Sequence, residues 1–161
     1  MRVVILSGAP GSGKSTCVNQ WETPLIVCSA DSYFTDVHGV YRFDPKGIQL
    51  AHMECLRRFL QVLQAAPANQ PNWLVVDNTN TALVEVAPYV RLAQAFGHAV
   101  DIQVFLGQRN NVHGVPEHKV RQMRDRCLLT WEDDTGGLCR NFVSGSIFTS
   151  RTFRCDVIFQ G

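Results

Sequence analysis

Gly8-Ala9-Pro10-Gly11-Ser12-Gly13-Lys14-Ser15 fits the pattern G-x-x-x-x-G-K-[ST], directly after the apolar run 3–7. That position predicts a buried strand, a glycine-rich turn and a helix opening on the turn. The glycines let backbone amides close around phosphate oxygens without Cβ clashes. The helix start adds partial positive charge. In such a loop Lys14 reaches the β- and γ-phosphates, the Ser15 hydroxyl holds Mg²⁺, and Thr16 lies one residue deeper, against an α-phosphate. The bland alternative is a chance glycine turn, which the strand–turn–helix context disfavours.

The remaining pattern repeats strand and helix. After a helix over residues 13–21, Thr23-Pro24 breaks the chain and residues 25–28 form a short buried strand. Residues 31–44 are a loop with a turn at His38-Gly39. Asp44 caps a helix that Pro45 opens and that runs to about residue 64, with Ile48, His52, Cys55, Phe59 and Leu63 at helical spacing. A loop over 66–71 leads to a strand over 73–76 that ends at Asp77. A helix over 84–96 stops at Gly97. The strand over 100–106 alternates Asp101 and Gln103 with apolar residues, which predicts a less buried position. Pro116 opens a last helix to about residue 128, and 157–159 is a candidate final strand. This order implies an α/β fold: a three-layer arrangement with a mostly parallel sheet and helices on both faces. The 161 residues read as one domain, with a basic helical lid over about 108–128 and an unassigned tail over 135–161.

Composition excludes several classes. The chain is 45% hydrophobic with a net charge of +1, so neither disorder nor bulk electrostatic coating of nucleic acid is expected, though a local basic groove remains open. No apolar run is long enough to span a membrane. The first residues are too short for a signal peptide and read as a strand. The six cysteines have wide spacing and no Cys-x-x-Cys pair, which favours free thiols in a cytoplasm over a disulfide framework or a zinc site. The scattered histidines lack metal-ligand spacing.

Carboxylates at the ends of parallel strands face the crevice where ligands bind. Asp31, after the second strand, is placed to accept a proton from a substrate hydroxyl; its plainer role is that of a turn former. Asp77 is placed to hold Mg²⁺, and Thr79 and Asn80 to contact a phosphate or sugar, with a capped turn as the alternative. For Asn78 and Thr81 the two readings balance. Tyr33, Phe34, Tyr41 and Phe43 offer stacking faces for a base, or simply pack their loop. Arg109, Lys119, Arg121, Arg124 and Arg126 make residues 109–126 locally basic. They form either a solvated helix face or a lid that supplies an arginine to a transition state.

Five segments together give the chain a family likeness over residues 3–126. They are the loop from Gly8 to Ser15; Ser29-Ala30-Asp31-Ser32-Tyr33-Phe34; Tyr41-Arg42-Phe43-Asp44-Pro45 with Ala51-His52; Val76-Asp77-Asn78-Thr79-Asn80; and Arg109-Asn110-Asn111-Val112-His113-Gly114-Val115-Pro116 leading to Arg126. The chain resembles the P-loop kinase-like family that includes phage-type polynucleotide 5′-hydroxyl kinase domains and related small ATPase and kinase domains. The resemblance implies transfer of the γ-phosphate of ATP, with Mg²⁺, to a hydroxyl. Asp31 stands at the family's general-base position, Lys14 and Ser15 at its phosphate and Mg²⁺ positions, Arg126 at its lid arginine and Asn80 at an acceptor contact. Two departures stand out. Ser32 replaces a frequent second acid, and Asn110 follows Arg109 where a second arginine is frequent, leaving Arg109 as the second lid cation.

The acceptors that fit are a 5′-hydroxyl of nucleic acid, DNA before RNA, and a base hydroxymethyl such as 5-hydroxymethyluracil in viral DNA. The alternatives are a kinase of a free nucleoside or other small hydroxyl compound, and an ATP-binding switch module without catalysis. The compact chain and the lack of a phosphatase motif point to a phage protein acting in the host cytoplasm.

Overall fold

The computed structural model describes residues 1–21, 25–65, 73–107, 114–132, 139–141 and 150–154. Strand β1 (Arg2–Ser7) lies at the centre of the sheet. It pairs in parallel with β3 (Trp73–Asp77) on one side and β4 (Val100–Phe105) on the other. Strand β2 (Leu25–Cys28) extends the sheet in parallel beyond β3. The register Ser7 to Val104 and Leu6 to Asp77 brings the carboxyl ends of β1, β3 and β4 to one edge. Among the described residues the sheet has six strands in the order β2-β3-β1-β4-β6-β5. The last two, β5 (Cys139–Asn141) and β6 (Ser150–Arg154), run antiparallel, and β6 pairs with β4.

Burial on both faces explains the unbroken apolar runs of β1 and β3. Val3 and Ile5 point into one core with Leu74, Val76, Ile102 and Val104; Val4, Leu6 and Val75 point into the other. The first core is covered by α2 (Ile48–Ala65) through Ala51, Cys55, Phe59 and Leu63 and by α3 (Leu83–Ala95) through Val86, Tyr89, Val90 and Ala93. The second is closed by Val18 of the short α1 (Lys14–Val18), with Trp21 edge-on to Trp73. This is the expected three-layer α/β sandwich.

Local signals place the helix ends. Asp44 Oδ1 accepts from the Lys46 amide at 2.9 Å, and Pro45 opens a single 3-10 turn, Pro45–Gly47, before α2 begins. At the end of α3, Gly97 (φ 75) sends its amide to Gln94 O, and the His98 amide bonds Ala93 O, a Schellman closure that needs the left-handed residue.

Several expectations need correction. The buried stripe of α2 starts at Ala51; Ile48 and His52 lie on the exposed side, because the i, i+4 row through Cys55 and Phe59 reaches back to Ala51. The first helix is one turn and a half rather than a run to Trp21. Strand β4 is buried along most of its length rather than less buried, and β6 pairs along its outer side. Asp101 is only 4% exposed and accepts from Arg2 Nε at 2.6 Å, while the Arg2 guanidinium lies 4.9 Å from the Trp73 ring centroid. The polar residue in β4 is therefore neutralised across the sheet instead of hydrated. The candidate strand at 157–159 lies outside the described residues.

The last helix, α4 (Glu117–Glu132), runs four residues past its expected end. Those residues dock it: Trp131 is buried and its Nε1 donates to Ser7 Oγ at 2.8 Å, with Cys127 Sγ 3.5 Å from the same oxygen. The basic helix is thus anchored to the end of β1. Cys17, Cys28 and Cys55 are free thiols, and burial pushes Cys28 up to about 11, which makes it an inert packing group. No described helix is long and apolar enough to cross a membrane. Trp131→Phe, which keeps an aromatic ring but removes the N–H donor, is expected to destabilise the protein by about 1–2 kcal/mol. A urea melt checks this by a lower midpoint at unchanged slope; an unchanged midpoint contradicts the anchor.

Candidate functional site

The loop after β1 is gripped from three sides. The Gly8 amide donates to Thr79 O at 2.8 Å, tying it to the end of β3. A Cβ on Gly107, just beyond β4, falls 2.6 Å from Ser12 O, so that backbone contact admits only glycine. Gly13 (φ 99) turns the chain into α1 in the left-handed region. Within this frame Lys14 is buried, and its Nζ donates to Gly8 O at 2.7 Å and Ala9 O at 3.0 Å. Burial lowers the Lys14 pKa; Asp77, Cys127 and Asp31 oppose that shift electrostatically, in that order. A desolvated ammonium among main-chain amides is a strong attractor for anionic oxygens.

Ser15 Oγ donates to Asp77 Oδ2 at 2.9 Å. A hydroxyl and a single carboxylate at the mouth of the loop suit Mg²⁺, which binds through few protein oxygens and completes its shell with water and phosphate. Among the described residues no group of three or more His, Cys, Asp or Glu forms an all-protein metal cage.

The residues after Asp77 have structural duties. Asn80, at φ 44, is 2% exposed; its Nδ2 donates to Leu6 O at 2.8 Å, and Ser7 Oγ donates to its carbonyl at 2.6 Å. Asparagine tolerates that left-handed conformation. Its side chain supports the floor of the loop. Thr79 is half-buried and remains at the surface of the site. Asn78 is buried: its Oδ1 accepts from the Ala30 amide at 2.8 Å, and its Nδ2 donates to Cys55 Sγ at 3.4 Å.

Asn78 thereby positions the 3-10 turn Ala30–Phe34 that carries Asp31. Ser29 Oγ caps the turn by accepting from the Asp31 amide at 3.2 Å. The Asp31 side chain is exposed, and its Oδ1 accepts from Tyr41 Oη at 3.1 Å. Phe34 is buried beneath, with Tyr33, Tyr41 and Phe43 edge-on at centroid distances of 5.3, 6.2 and 5.1 Å. The outer rings therefore both pack the loop and show exposed surface beside Asp31.

A family model described as an AAA domain matches residues 3–128. The chain belongs to this P-loop kinase-like family. Human NEDD4-binding protein 2 is 32% identical over 133 residues, which take in 75% of this chain and 7% of that protein. The chain therefore spans a small part of the length of this curated relative. A chain of the solved Pnkp1/Rnl/Hen1 complex superposes with a TM-score of 0.50 at 21% identity, covering 75% of this chain and 38% of that one. That likeness concerns the fold.

Ser15 and Asp77 are hydrogen-bonded, and the carboxylates of Asp77 and Asp31 both lie within electrostatic reach of the buried Lys14 ammonium. Arg126 is engaged elsewhere: its Nε donates to buried Thr81 Oγ1 at 2.8 Å and its Nη2 lies 3.3 Å from Glu85 Oε1. Glu85 Oε2 meanwhile accepts from the Ala82 amide at 3.1 Å, so one carboxylate caps α3 and holds the arginine. Arg109 lies outside the described residues. Asn78, for which the sequence left a site role and a turn role in balance, is a positioning residue; so are Gly107 and Glu85, which the sequence pattern does not single out. Only Gly107 leaves a signal, a lone glycine just past a strand end. Gly107→Ala is expected to weaken nucleotide binding about tenfold or more, because the loop must shift by several tenths of an ångström. Titration with fluorescent ADP checks this; wild-type affinity contradicts the clamp.

Proposed function

We propose that this domain is an Mg²⁺-ATP-dependent kinase acting on a hydroxyl of nucleic acid, DNA before RNA. The observation that carries the reading is the pairing of a buried Lys14 ammonium in the loop with an exposed Asp31 carboxylate in its electrostatic reach. A phosphate-binding cation and an accessible base across one crevice are what phosphoryl transfer to an alcohol requires. In this reading the loop amides and Lys14 hold the donor phosphates. Asp31 accepts the proton of the acceptor hydroxyl as its oxygen bonds to the γ-phosphorus, and the bond from that phosphorus to the ADP oxygen breaks. Lys14 stabilises the charge that develops, joined by Arg126 once it leaves Thr81 and Glu85. Ser15 and Asp77 would hold Mg²⁺, whose contribution is neutralisation of phosphate charge. Most of the acceleration is positioning and electrostatics, because the transition state is loose.

A nucleic-acid acceptor is favoured by the resemblance to polynucleotide 5′-hydroxyl kinases and by the half-exposed rings of Tyr33 and Phe43 beside the base. The net charge of +1 favours a second reading, a free nucleoside or other small alcohol. The test uses γ-labelled ATP with a 5′-hydroxyl oligonucleotide, an end-blocked duplex carrying 5-hydroxymethyluracil, and free nucleosides. Label on the 5′-hydroxyl strand is the expected result. Label only on the blocked duplex moves the acceptor to a base hydroxymethyl, label only on nucleosides moves it to a small molecule, and no label on any of them favours a non-catalytic switch. Asp31→Asn should lower turnover at least about a hundredfold with ADP binding kept. Arg126→Ala should lower kcat by a similar factor with a smaller effect on ATP affinity. Wild-type turnover in the Asp31 variant, or a loss confined to binding in the Arg126 variant, contradicts the assigned roles.

A further inference from the structure

The Asp31 carboxylate has one side-chain donor among the described residues, the Tyr41 phenol at 3.1 Å. Considerable local structure puts it there. Thr35 and Tyr41 pair as an antiparallel bridge, so the two ends of the loop 35–41 run side by side. Asp36 Oδ1 accepts from the amides of His38 and Val40, each at 2.9 Å, and Gly39 (φ 79) makes the reversal. The Arg42 amide then donates to Phe34 O at 2.8 Å, which returns the chain to the turn that carries Asp31. Thr35 Oγ1 also donates to Asp31 O at 3.0 Å. Phenol and carboxylate thus sit on two ends of one closed, hydrogen-bonded loop, and the Tyr41 ring leans edge-on against buried Phe34.

We infer that Tyr41 is a positioning residue for phosphoryl transfer: by holding Asp31 Oδ1 it fixes the carboxylate's rotation and leaves Oδ2 to receive the acceptor's proton. An exposed carboxylate without such a tether samples several rotamers, few of which face the reacting oxygen. The phenol is chemically suited to this task. Burial, then the charge and hydrogen bond of Asp31, push the Tyr41 pKa up to about 12. It therefore stays protonated at working pH and remains a donor to the carboxylate instead of competing with it for the acceptor's proton.

The inference rests on Asp31 being the base, and the test separates the two. Tyr41→Phe keeps the ring against Phe34 and removes only the hydroxyl, so its melting temperature should match wild type. Its kcat should fall about ten- to a hundredfold, the scale of a hydrogen bond to a charged group, with the KM values for ATP and acceptor within about twofold. In the Asp31→Asn background, adding Tyr41→Phe should leave the single-turnover rate unchanged, because a residue acting through the carboxylate has nothing left to position. If Tyr41→Phe turns over like wild type while Asp31→Asn is impaired, the role of Tyr41 is overturned and the base assignment stands. An equal loss from Tyr41→Phe in both backgrounds also overturns it, since the hydroxyl then acts independently of Asp31. Faster turnover in Tyr41→Phe overturns it as well, making the phenol a plug rather than a tether. If Asp31→Asn itself is unimpaired, or wild type transfers no phosphate, the base assignment fails and the inference falls with it.

Discussion

Everything at the crevice depends on a short seam between the ends of β1 and β3. Asn80 Nδ2 bonds Leu6 O, Ser7 Oγ bonds Asn80 O, and the Gly8 amide bonds Thr79 O. These contacts continue the sheet's pairing past the last ladder bond. They fix where the glycine loop starts and satisfy polar groups that would otherwise be buried without partners. The same Ser7 hydroxyl accepts from Trp131, so α4 is docked on the floor of the loop. The turn after β3 and the helix α4 therefore share one hydroxyl.

Polar residues near the site divide by depth. The buried ones, Asn78, Asn80 and Thr81, hold main chain or an arginine in place. Those nearer the surface, Ser15, Asp31 and Asp77, keep a hydroxyl and two carboxylates within reach of solvent. The division is energetic: a buried amide or hydroxyl must have its partners within the protein, whereas the buried Lys14 ammonium rests on neutral carbonyls that an anionic oxygen can replace with a stronger bond. Arg126 is intermediate. Its ion pair with half-exposed Glu85 is open to solvent and weak, and its bond to buried Thr81 Oγ1 is the firmer hold.

The loop, the four parallel strands and the carboxylates at the strand ends are legible in the sequence, because each rests on local pattern: an apolar run, a glycine spacing, a residue just past a strand. Asp31, Asp77, Lys14 and Ser15 can be picked out for that reason. What cannot be read depends on distant partners. Asp101 resembles a solvated edge residue, and only its pairing with Arg2, 99 positions away, shows otherwise. Asn80 matches an acceptor contact by motif position, yet its φ of 44 and the carbonyl of Leu6 turn it inward. The short strands β5 and β6 leave no periodicity long enough to detect, and they complete the sheet by covering β4.

The most direct test of the central claim is a crystal structure with Mg²⁺ and ADP. The prediction is that Lys14 Nζ leaves the carbonyls of Gly8 and Ala9 for phosphate oxygen, that Ser15 and Asp77 face the metal, and that Asp31 borders the space beyond the β-phosphate. A nucleotide bound elsewhere, or Lys14 still on its own loop with Asp31 turned away from the phosphates, would contradict it.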